Sequence, residues 1–379
     1  MNGMNFLEKL LNGAAVEWKP LGEVTKYEQP TKYLVQSTNY SDNFATPVLT
    51  AGKTFILGYT DETNGIYRAS KTPVIIFDDF TTANKWVDFD FKAKSSAMKM
   101  ITSINDSRFI LKYIYYWLNT LPSELIDGDH KRQWISNFYN KKIPLPPLQV
   151  QSEIVRILDT FTELTTELTT ELTTELTLRQ KQYEYYRDRL LTFEEGEVEW
   201  KTLGDVFQMR AGQHISASNI MQTANEEYIY PCFGGNGVRG FVKENSHDGA
   251  YLMIGRQGAL CGNVQRMKGK FYATEHAVVV TANDQVNIDW AFHLLTVMNL
   301  NQYASQSAQP GLAVGKLQSL KIPIPSLEKQ ARIVAILDKF DTLTTDLSQG
   351  LPREIALRQQ QYEYYRNLLL SFPPPLTPP

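Results

Sequence analysis

The chain has 379 residues, of which 42% are hydrophobic and 21% charged, a composition typical of a folded protein with two or three domains. Its net charge of −3 does not by itself indicate a nucleic-acid partner, and its two cysteines exclude a multi-disulfide scaffold. Because no apolar run is long enough for a membrane span and no signal segment begins the sequence, we expect a cytoplasmic protein without membrane association.

Residues 1–142, the first head, contain short segments typical of strands. Val48–Tyr59, Thr72–Phe80 and Trp86–Phe91 are rich in β-branched and aromatic residues, which predicts a mixed fold dominated by sheet. Several polar side chains of this head are candidates for contacts with DNA phosphates or bases, and solvated loops are the alternative. They are Lys85, Lys92, Lys94, Lys99, Lys131, Arg132 and Gln133, the last three within Asp129–Trp134 (DHKRQW).

One catalytic pattern occurs in the first head. Asp79, Asp90 and Lys92 have a spacing found in metal-dependent nucleases, where two carboxylates bind Mg²⁺, and a free-standing nuclease is therefore an alternative hypothesis. Gly311–Leu317 (GLAVGKL) is one residue too short for a phosphate-binding loop, and the histidines lack zinc-site spacing. No amino-methyltransferase tetrapeptide occurs either, so we expect no catalytic or metal site.

Residues 143–194, the first spacer, have the pattern of a long helix. After the prolines of Pro144–Pro147, apolar residues follow the i, i+3, i+4, i+7 spacing in Ile154–Phe161. The helix is predicted from about Gln149 to Phe193, on the order of 65 Å. Thr162–Thr177 consists of four copies of TELT, whose leucines continue the apolar stripe. This continuity favours a helix over a low-complexity linker.

Residues 195–321, the second head, again alternate strand-like runs with glycine-rich turns. Strands are predicted in Gly234–Val242, Tyr251–Gly262 and Ala277–Thr281. Arginine can bond guanine with two hydrogen bonds, and asparagine or glutamine can do the same with adenine. The turns carry four such candidates, for which ordinary hairpin turns are the alternative: Asn236, Arg239, Arg256 and Gln257.

Residues 322–379, the second spacer, repeat the first, so the chain is an internal duplication. Gly350 and Pro352 predict a break in the second helix. Three pairs of segments are offset by 179 residues: Lys142–Leu148 and Lys321–Leu327, Ile154–Phe161 and Ile333–Phe340, and Leu178–Phe193 and Leu357–Phe372, of which the last pair is identical at 12 of 16 positions. A further pair, Ala15–Val24 (AVEWKPLGEV) and Glu197–Val206 (EVEWKTLGDV), is offset by 182 residues.

Two copies of a head and a helix can pack their apolar stripes antiparallel, which relates the heads by a pseudo-two-fold axis. The predicted fold class is therefore α/β (α+β): two globular mixed α/β domains separated by two long antiparallel helices. Two different heads joined by a rod of fixed length would suit an asymmetric DNA sequence read in two parts. A coiled-coil protein scaffold without a DNA role is an alternative.

The repeated motifs resemble those of a known family. IPLPPLQVQSEIVRILD, IPIPSLEKQARIVAILD, the VEWKxLG segment before each head and QKQYEYYRDRLL are similar to the specificity subunits of type I restriction–modification enzymes. The resemblance covers the whole chain. The TELT run resembles the tetrapeptide repeats of the type IC branch, and Ala308–Leu312 (AQPGL) resembles a common end of these heads. The Pro-rich tail, Pro373–Pro379, departs from the family pattern.

The resemblance implies two target-recognition domains, residues 1–142 and 195–321, with spacer segments at residues 143–194 and 322–379. It implies a non-catalytic bacterial or archaeal subunit that binds double-stranded DNA, two methyltransferase subunits and restriction (nuclease–translocase) subunits. It also implies that the chain itself carries no cofactor, and that S-adenosylmethionine, ATP and Mg²⁺ belong to the partner subunits.

Overall fold

The computed structural model describes residues 6–51, 54–122, 132–258, 260–306, 310–346 and 348–373. The chain divides into two compact units. The first unit comprises residues 1–170 and 356–379, and the second comprises residues 171–355. Each unit therefore contains one head and parts of both spacers.

The first head combines a four-stranded sheet of order β2-β8-β5-β6 with a three-stranded sheet of order β4-β3-β7. Its strands are β1 (Glu17–Pro20), β2 (Thr25–Glu28), β3 (Thr46–Leu49), β4 (Ile56–Thr60), β5 (Val74–Asp78), β6 (Asn84–Val87), β7 (Lys92–Ala93), β8 (Met98–Ser103) and β9 (Lys142–Leu145). Its helices are α1 (Phe6–Leu11), α2 (Leu21–Val24), α3 (Leu111–Leu118) and α4 (Gln133–Ser136). Every residue of β5 (VIIFD) is buried, as expected for the central strand of a covered sheet.

The first spacer is one uninterrupted helix, α5 (Leu148–Leu191), which confirms the predicted helix through the TELT copies. Threonine is a poor helix former, but its hydroxyl can bond the carbonyl one turn earlier. Thr162 donates in this way to the Leu158 carbonyl oxygen at 2.7 Å, and Thr177 donates to the Thr173 carbonyl oxygen at 2.9 Å. These bonds satisfy the hydroxyls without breaking the helix.

The second head forms one six-stranded sheet of order β11-β16-β14-β15-β12-β13. Its strands are β10 (Glu199–Thr202), β11 (Phe207–Ala211), β12 (Tyr230–Gly234), β13 (Gly237–Val242), β14 (His247–Gly255), β15 (Val264–Ala273), β16 (Ala277–Ala282) and β17 (Lys321–Ile324). Its helices are α6 (Leu203–Val206), α7 (Ile288–Val297) and α8 (Val314–Gln318). The second spacer consists of α9 (Leu327–Thr345) and α10 (Leu351–Leu369), which confirms the break expected near Gly350 and Pro352.

The two heads share one topology. In both, a central strand (β5 or β14) lies between an antiparallel neighbour on each side, β8 and β6 in the first head and β16 and β15 in the second. Strand β3 pairs in parallel with β7, as β12 does with the end of β15. Strands β6 and β7 thus correspond to the two ends of β15, which is continuous. The duplication is therefore visible in the heads, whose sequences differ.

A two-stranded ribbon joins the start and end of each head. Strand β1 pairs antiparallel with β9, so that Trp18 lies opposite Pro144. Strand β10 pairs with β17 in the same register, with Trp200 opposite Pro323. The repeated VEWK and KIPxP motifs are therefore the two strands of one ribbon, positioned directly before each spacer helix.

The spacer helices run antiparallel within each unit. In the first unit the rings of Phe161 and Tyr365 are 5.7 Å apart, and the hydroxyl oxygens of Thr162 and Tyr362 lie 3.1 Å apart, within hydrogen-bond distance. In the second unit the ring of Phe340 packs against Tyr183 and Tyr186, with centroids 6.2 and 5.8 Å apart. No helix of the described residues is both long and apolar enough to cross a membrane.

Candidate nucleic-acid interface

Three loops of the second head meet at one end of its sheet. They are the β12–β13 hairpin, the segment after β14 and the segment before β16. The Arg256 backbone N–H donates to the His276 carbonyl oxygen at 2.8 Å, which links the second loop to the third. A Cβ atom on Gly255 would lie 1.9 Å from the Gly235 carbonyl oxygen, so the hairpin can approach β14 this closely only because residue 255 is glycine.

These loops bring together the four candidates that the sequence predicted for this head. Asn236, Arg239 and Gln257 line an open groove of about 540 Å³, together with His276, and Arg256 precedes Gln257 on its edge. Asn236, Arg239 and Gln257 are exposed, and Arg256 is half-buried. Within the described residues, neither guanidinium has an ion-pair partner. The groove therefore offers two arginines and two side-chain amides, the groups that recognise base edges and phosphates.

His276 is a groove residue that sequence reasoning missed. Its Nδ1 lies 2.6 Å from Gln257 Oε1, so an Nδ1–H tautomer holds the Gln257 amide in one orientation. Glu275 lies 3.5 Å from His276 and 3.0 Å from His214, and its pKa is lowered despite desolvation, chiefly through the His214 contact. A lone histidine after a glutamate carries no sequence signal for such a role; only the fold brings it to Gln257.

Three of the DNA-contact candidates of the first head lie at the end of its sheet that corresponds to the groove end of the second head. Lys94 follows β7, is exposed, and has its Nζ 5.7 Å from the centre of the Tyr40 ring. Arg132 precedes α4 and Lys85 lies near the start of β6; both are exposed. Lys131 lies outside the described residues. Because the two heads share one topology, Lys94, Arg132 and Lys85 lie beside the loops of the first head that are equivalent to the three groove loops of the second head.

Gln133 and Lys99 are buried, which differs from the DNA-contacting loop expected for Gln133 and the phosphate contact expected for Lys99. The Gln133 backbone N–H donates to the Asp79 carbonyl oxygen at 2.8 Å, and the Trp134 N–H donates to Asp79 Oδ1 at 2.9 Å. Lys99 is 1% exposed; its Nζ lies 3.4 Å from Asp79 Oδ2 and 4.9 Å from the centre of the Tyr27 ring. Asp79 and Lys99 thus anchor the start of α4, beside which Arg132 is presented.

Lys92 is also buried, contrary to the expectation of a phosphate contact. Its side chain is 3% exposed, pairs with Glu62 at 2.8 Å and donates to the Asn64 carbonyl oxygen at 2.6 Å. The bond from Lys92, followed by the Ser37 backbone N–H, holds the pKa of the Glu62 carboxyl below its usual value. Lys92 therefore holds the segment that follows β4 and has little surface left for a ligand.

The nuclease pattern of the first head is divided among separate interactions. Asp79 is paired with Lys99, and Lys92 is paired with Glu62. Asp90 accepts from the Ser70 hydroxyl at 2.6 Å and from Arg68 at 2.7 Å, which lowers its pKa to about 2. Among the described residues no group of three or more His, Cys, Asp or Glu side chains could hold a metal ion. Nothing in this geometry supports the nuclease hypothesis.

Comparison with known proteins places the duplicated chain in a family. The model of the type I restriction modification DNA specificity domain matches it twice, over residues 15–178 and 195–357. The chain belongs to the type I restriction–modification specificity subunits. It is therefore a DNA-specificity subunit of such an enzyme, as the repeated motifs predicted, and not one of the enzyme's catalytic subunits.

Two curated relatives from Escherichia coli agree with this assignment. The chain is 51% identical to the type I restriction enzyme EcoR124I/EcoR124II specificity subunit, covering 100% of this chain and 99% of the relative. It is 47% identical to the EcoprrI specificity subunit, covering 92% and 93%. The crystal structure of the type I restriction–modification S subunit from M. genitalium has a TM-score of 0.57 at 16% identity, covering 97% of this chain and 98% of that one. That likeness confirms the fold class.

Proposed function

We propose that each head of this specificity subunit reads one half of an asymmetric, bipartite DNA sequence. The observation that supports this most strongly is that two heads of one topology present different side chains at the same end. The second head offers Asn236, Arg239, Arg256 and Gln257 there, and the first offers Lys85 and Arg132 for base edges and Lys94 for a phosphate. Different side chains on equivalent frames would select different bases, so the two half-sites would differ.

We infer that the spacer helices set the distance between the half-sites. The first head leads directly into α5, and α5 leads directly into the second head. Because an α-helix has a fixed rise and twist per residue, its length defines both a translation and a rotation. A protein that reads two separated groups of bases needs a constant translation and a constant rotation between its two heads. This is because each base-pair step of DNA advances along the helix axis and turns about it.

The spacers also present the same apolar side chains in each unit, which supports docking of two copies of one partner. In each case a residue in one unit has its duplicate, 179 positions away, in the other unit, and both are exposed. The pairs are Leu148 and Leu327, Leu357 and Leu178, and Tyr364 and Tyr185, with the last two tyrosines 64% and 57% exposed. Two equal partners, one per unit, would be the two methyltransferase subunits.

A groove in the second unit supports the same proposal. It has a volume of about 1030 Å³ and is lined by the end of α5, the first half of α9 and the segments beside them, including Tyr185, Phe193, Lys329 and Ile336. Its lining comes from the repeated part of the sequence rather than from the variable head. We propose that S-adenosylmethionine belongs to the docked methyltransferases, and that ATP and Mg²⁺ belong to restriction subunits added to them.

The test is to map methylated bases in cells that express this chain with its methyltransferase subunit. We expect one split motif, with two different half-sites separated by a fixed number of unspecified base pairs. The methyltransferase without this chain should produce no motif. A continuous motif, a symmetric one, or methylation that does not depend on this chain would contradict the proposal.

A further inference from the structure

A buried glutamine of the first spacer joins it to the first head. Gln151, in the first turn of α5, is 2% exposed. Its Nε2 donates to the carbonyl oxygens of Pro146 at 2.9 Å and Arg108 at 3.2 Å. Its Oε1 accepts from the backbone N–H of Ile110, the residue before α3, at 3.0 Å. One side chain therefore ties three backbone segments together: the end of the ribbon, the approach to α3 and the spacer helix.

Gln330 of the second spacer makes the same three contacts in the second unit. It is 0% exposed, and its Nε2 donates to the carbonyl oxygens of Pro325 at 2.8 Å and Gln285 at 3.0 Å. Its Oε1 accepts from the backbone N–H of Asn287, the residue before α7, at 2.7 Å. A buried amide with all its hydrogens used can be replaced only by leaving buried backbone groups unpaired.

A second attachment lies two turns further along each spacer helix. In the first unit, Asp159 accepts from the Tyr116 hydroxyl at 2.5 Å and from Lys112 Nζ at 2.9 Å. Burial, and next the Asp159 carboxylate, raise the pKa of the Tyr116 phenol, so it remains a donor. Tyr116 is on α3, the helix whose start Gln151 holds. Two points on α3 are thus joined to two points on α5.

The second unit has the same attachment with different residues. Asp338 of α9 accepts from His293 Nε2 at 2.9 Å, where His293 is on α7, and from Arg266 of β15 at 2.7 Å. Asp338 is the duplicate of Asp159, 179 positions later. The donor on the head helix is a tyrosine in the first unit and a histidine in the second. Both units keep the carboxylate on the spacer helix and the position of its donor along the head helix.

We propose that Gln151 and Gln330 are positioning residues that fix the direction of each head on its spacer helix, each supported by the aspartate two turns later. A fixed direction of both heads makes recognition strict for the distance between half-sites. This inference rests on the proposed two-headed reading of DNA. Apolar contacts of Ile154 and Leu158 with the core of the head are not directional, whereas two hydrogen-bonded attachments at separate points fix direction as well as position. Because these residues lie on the spacer side of the head, their loss should leave the bases read unchanged.

The experiment measures methylation by the full chain assembled with its methyltransferase subunits. The substrates are plasmids that carry the site at its native spacing, one base pair shorter or one base pair longer. Gln151→Met removes all three hydrogen bonds at similar side-chain volume. Gln149→Met is the matched control, since Gln149 is exposed on the same helix. We expect Gln151→Met to reduce the preference for the native spacing by about tenfold, within the range for coupling between sites, and Gln149→Met to leave it unchanged. Gln330→Met should act in the same way through the second head.

The outcomes separate this inference from the proposed function. If the wild-type complex methylates no split motif, the proposed function fails. If it does, and a folded Gln151→Met complex keeps the strict spacing, the positioning role is refuted; changed base preferences in either half-site would also refute it. If Gln151→Met does not fold, the double variant Tyr116→Phe with Lys112→Met removes both donors to Asp159 at the second attachment. Relaxed spacing in that variant supports the proposal, and unchanged spacing overturns it.

Discussion

The TELT array offers a direct way to change the length of the first spacer without touching either head. Thr162–Thr177 contains four identical copies inside α5, and deletion of Thr174–Thr177 gives the same chain as deletion of any other copy. The deletion keeps the apolar period of the helix, since four residues are close to one turn. Insertion of a fifth copy is the opposite perturbation.

The size of the effect follows from helix geometry. Removing four residues shortens a continuous helix by about 6 Å and changes its rotation by about 40°. One base-pair step of DNA is about 3.4 Å and about 35°. The rotation matches one step and the translation lies between one and two, so the preferred spacing should fall by one base pair, with two as the upper limit. The inserted copy should raise it by the same amount.

The second spacer must accommodate the same change. In the first unit α5 meets α10 at Phe161 and Tyr365, and in the second it meets α9 at Tyr183 and Phe340. The deletion falls between these two contacts along α5. On the second spacer the interval between Phe340 and Tyr365 contains the boundary between α9, which ends at Thr345, and α10, which begins at Leu351. We expect the change in length to be accommodated at this boundary.

Methylome sequencing of cells carrying the wild-type, shortened and lengthened chains would measure the spacing. Thr170→Ala, which keeps the length of the array, is the control and should leave the motif unchanged. An unchanged spacing in the deletion variant would mean that the array does not set the distance. New base preferences in either half-site would mean that the array contributes to reading rather than to spacing.

Three further outcomes follow from the structure. Arg256→Ala should cost about 1–3 kcal/mol of specific binding and relax base choice in one half-site only, as measured by binding to a panel of single-base variants. Lys94→Ala should weaken binding to all sequences alike and lower the salt dependence, which a titration at several salt concentrations would detect. Burial holds the pKa of His293 below its usual value, so the unfolded chain binds a proton that the folded chain does not, and stability falls as the pH decreases through the usual histidine range. His293→Gln keeps a donor for Asp338 but has no group that titrates. The Tm of this variant should therefore fall less than the Tm of the wild type between about pH 7.5 and 5.5. The other groups that face His293 are Tyr183, Arg266 and Asp341, and both proteins retain them.

The spacers could be predicted from the sequence because their structure is local. The apolar period in Ile154–Phe161 and the leucines of the TELT copies predicted α5 to within two residues of its ends, and Gly350 with Pro352 predicted the interruption of the second helix. The ribbon was not predicted. The prolines of Pro144–Pro147 predict only that no helix extends upstream of the spacer helix, because the strand pairing that Pro144 makes with Trp18 depends on residues far apart in the chain.

The candidate interface was predicted only in part, because exposure is a property of the fold. Asn236 lies in the turn between β12 and β13, Arg239 follows it on β13, and Gln257 lies in the segment after β14; all three are exposed, as the glycine-rich local sequence predicts. Lys92 looks similar in the sequence but faces Glu62, which is thirty positions away and carries no signal that it needs a cation. Whether any of these residues contacts DNA stays a prediction, tested by the variants above.

The duplication retained the contacts that hold each head on its spacer and allowed the loops of the heads to change. The ribbon keeps its register, and the buried glutamine and the aspartate of each spacer keep their positions and contacts, although the residues that they meet on the head differ. Tyr116 in one half and His293 in the other show that the head side can vary if it still presents a donor to the carboxylate. A head with the ribbon, a free backbone N–H before its helix and such a donor therefore has what it needs to be held on either spacer, whatever its loops read. Because this requirement involves only the ribbon, one backbone N–H and one donor side chain, the loops of each head can change without disturbing the attachment of the head to its spacer helix.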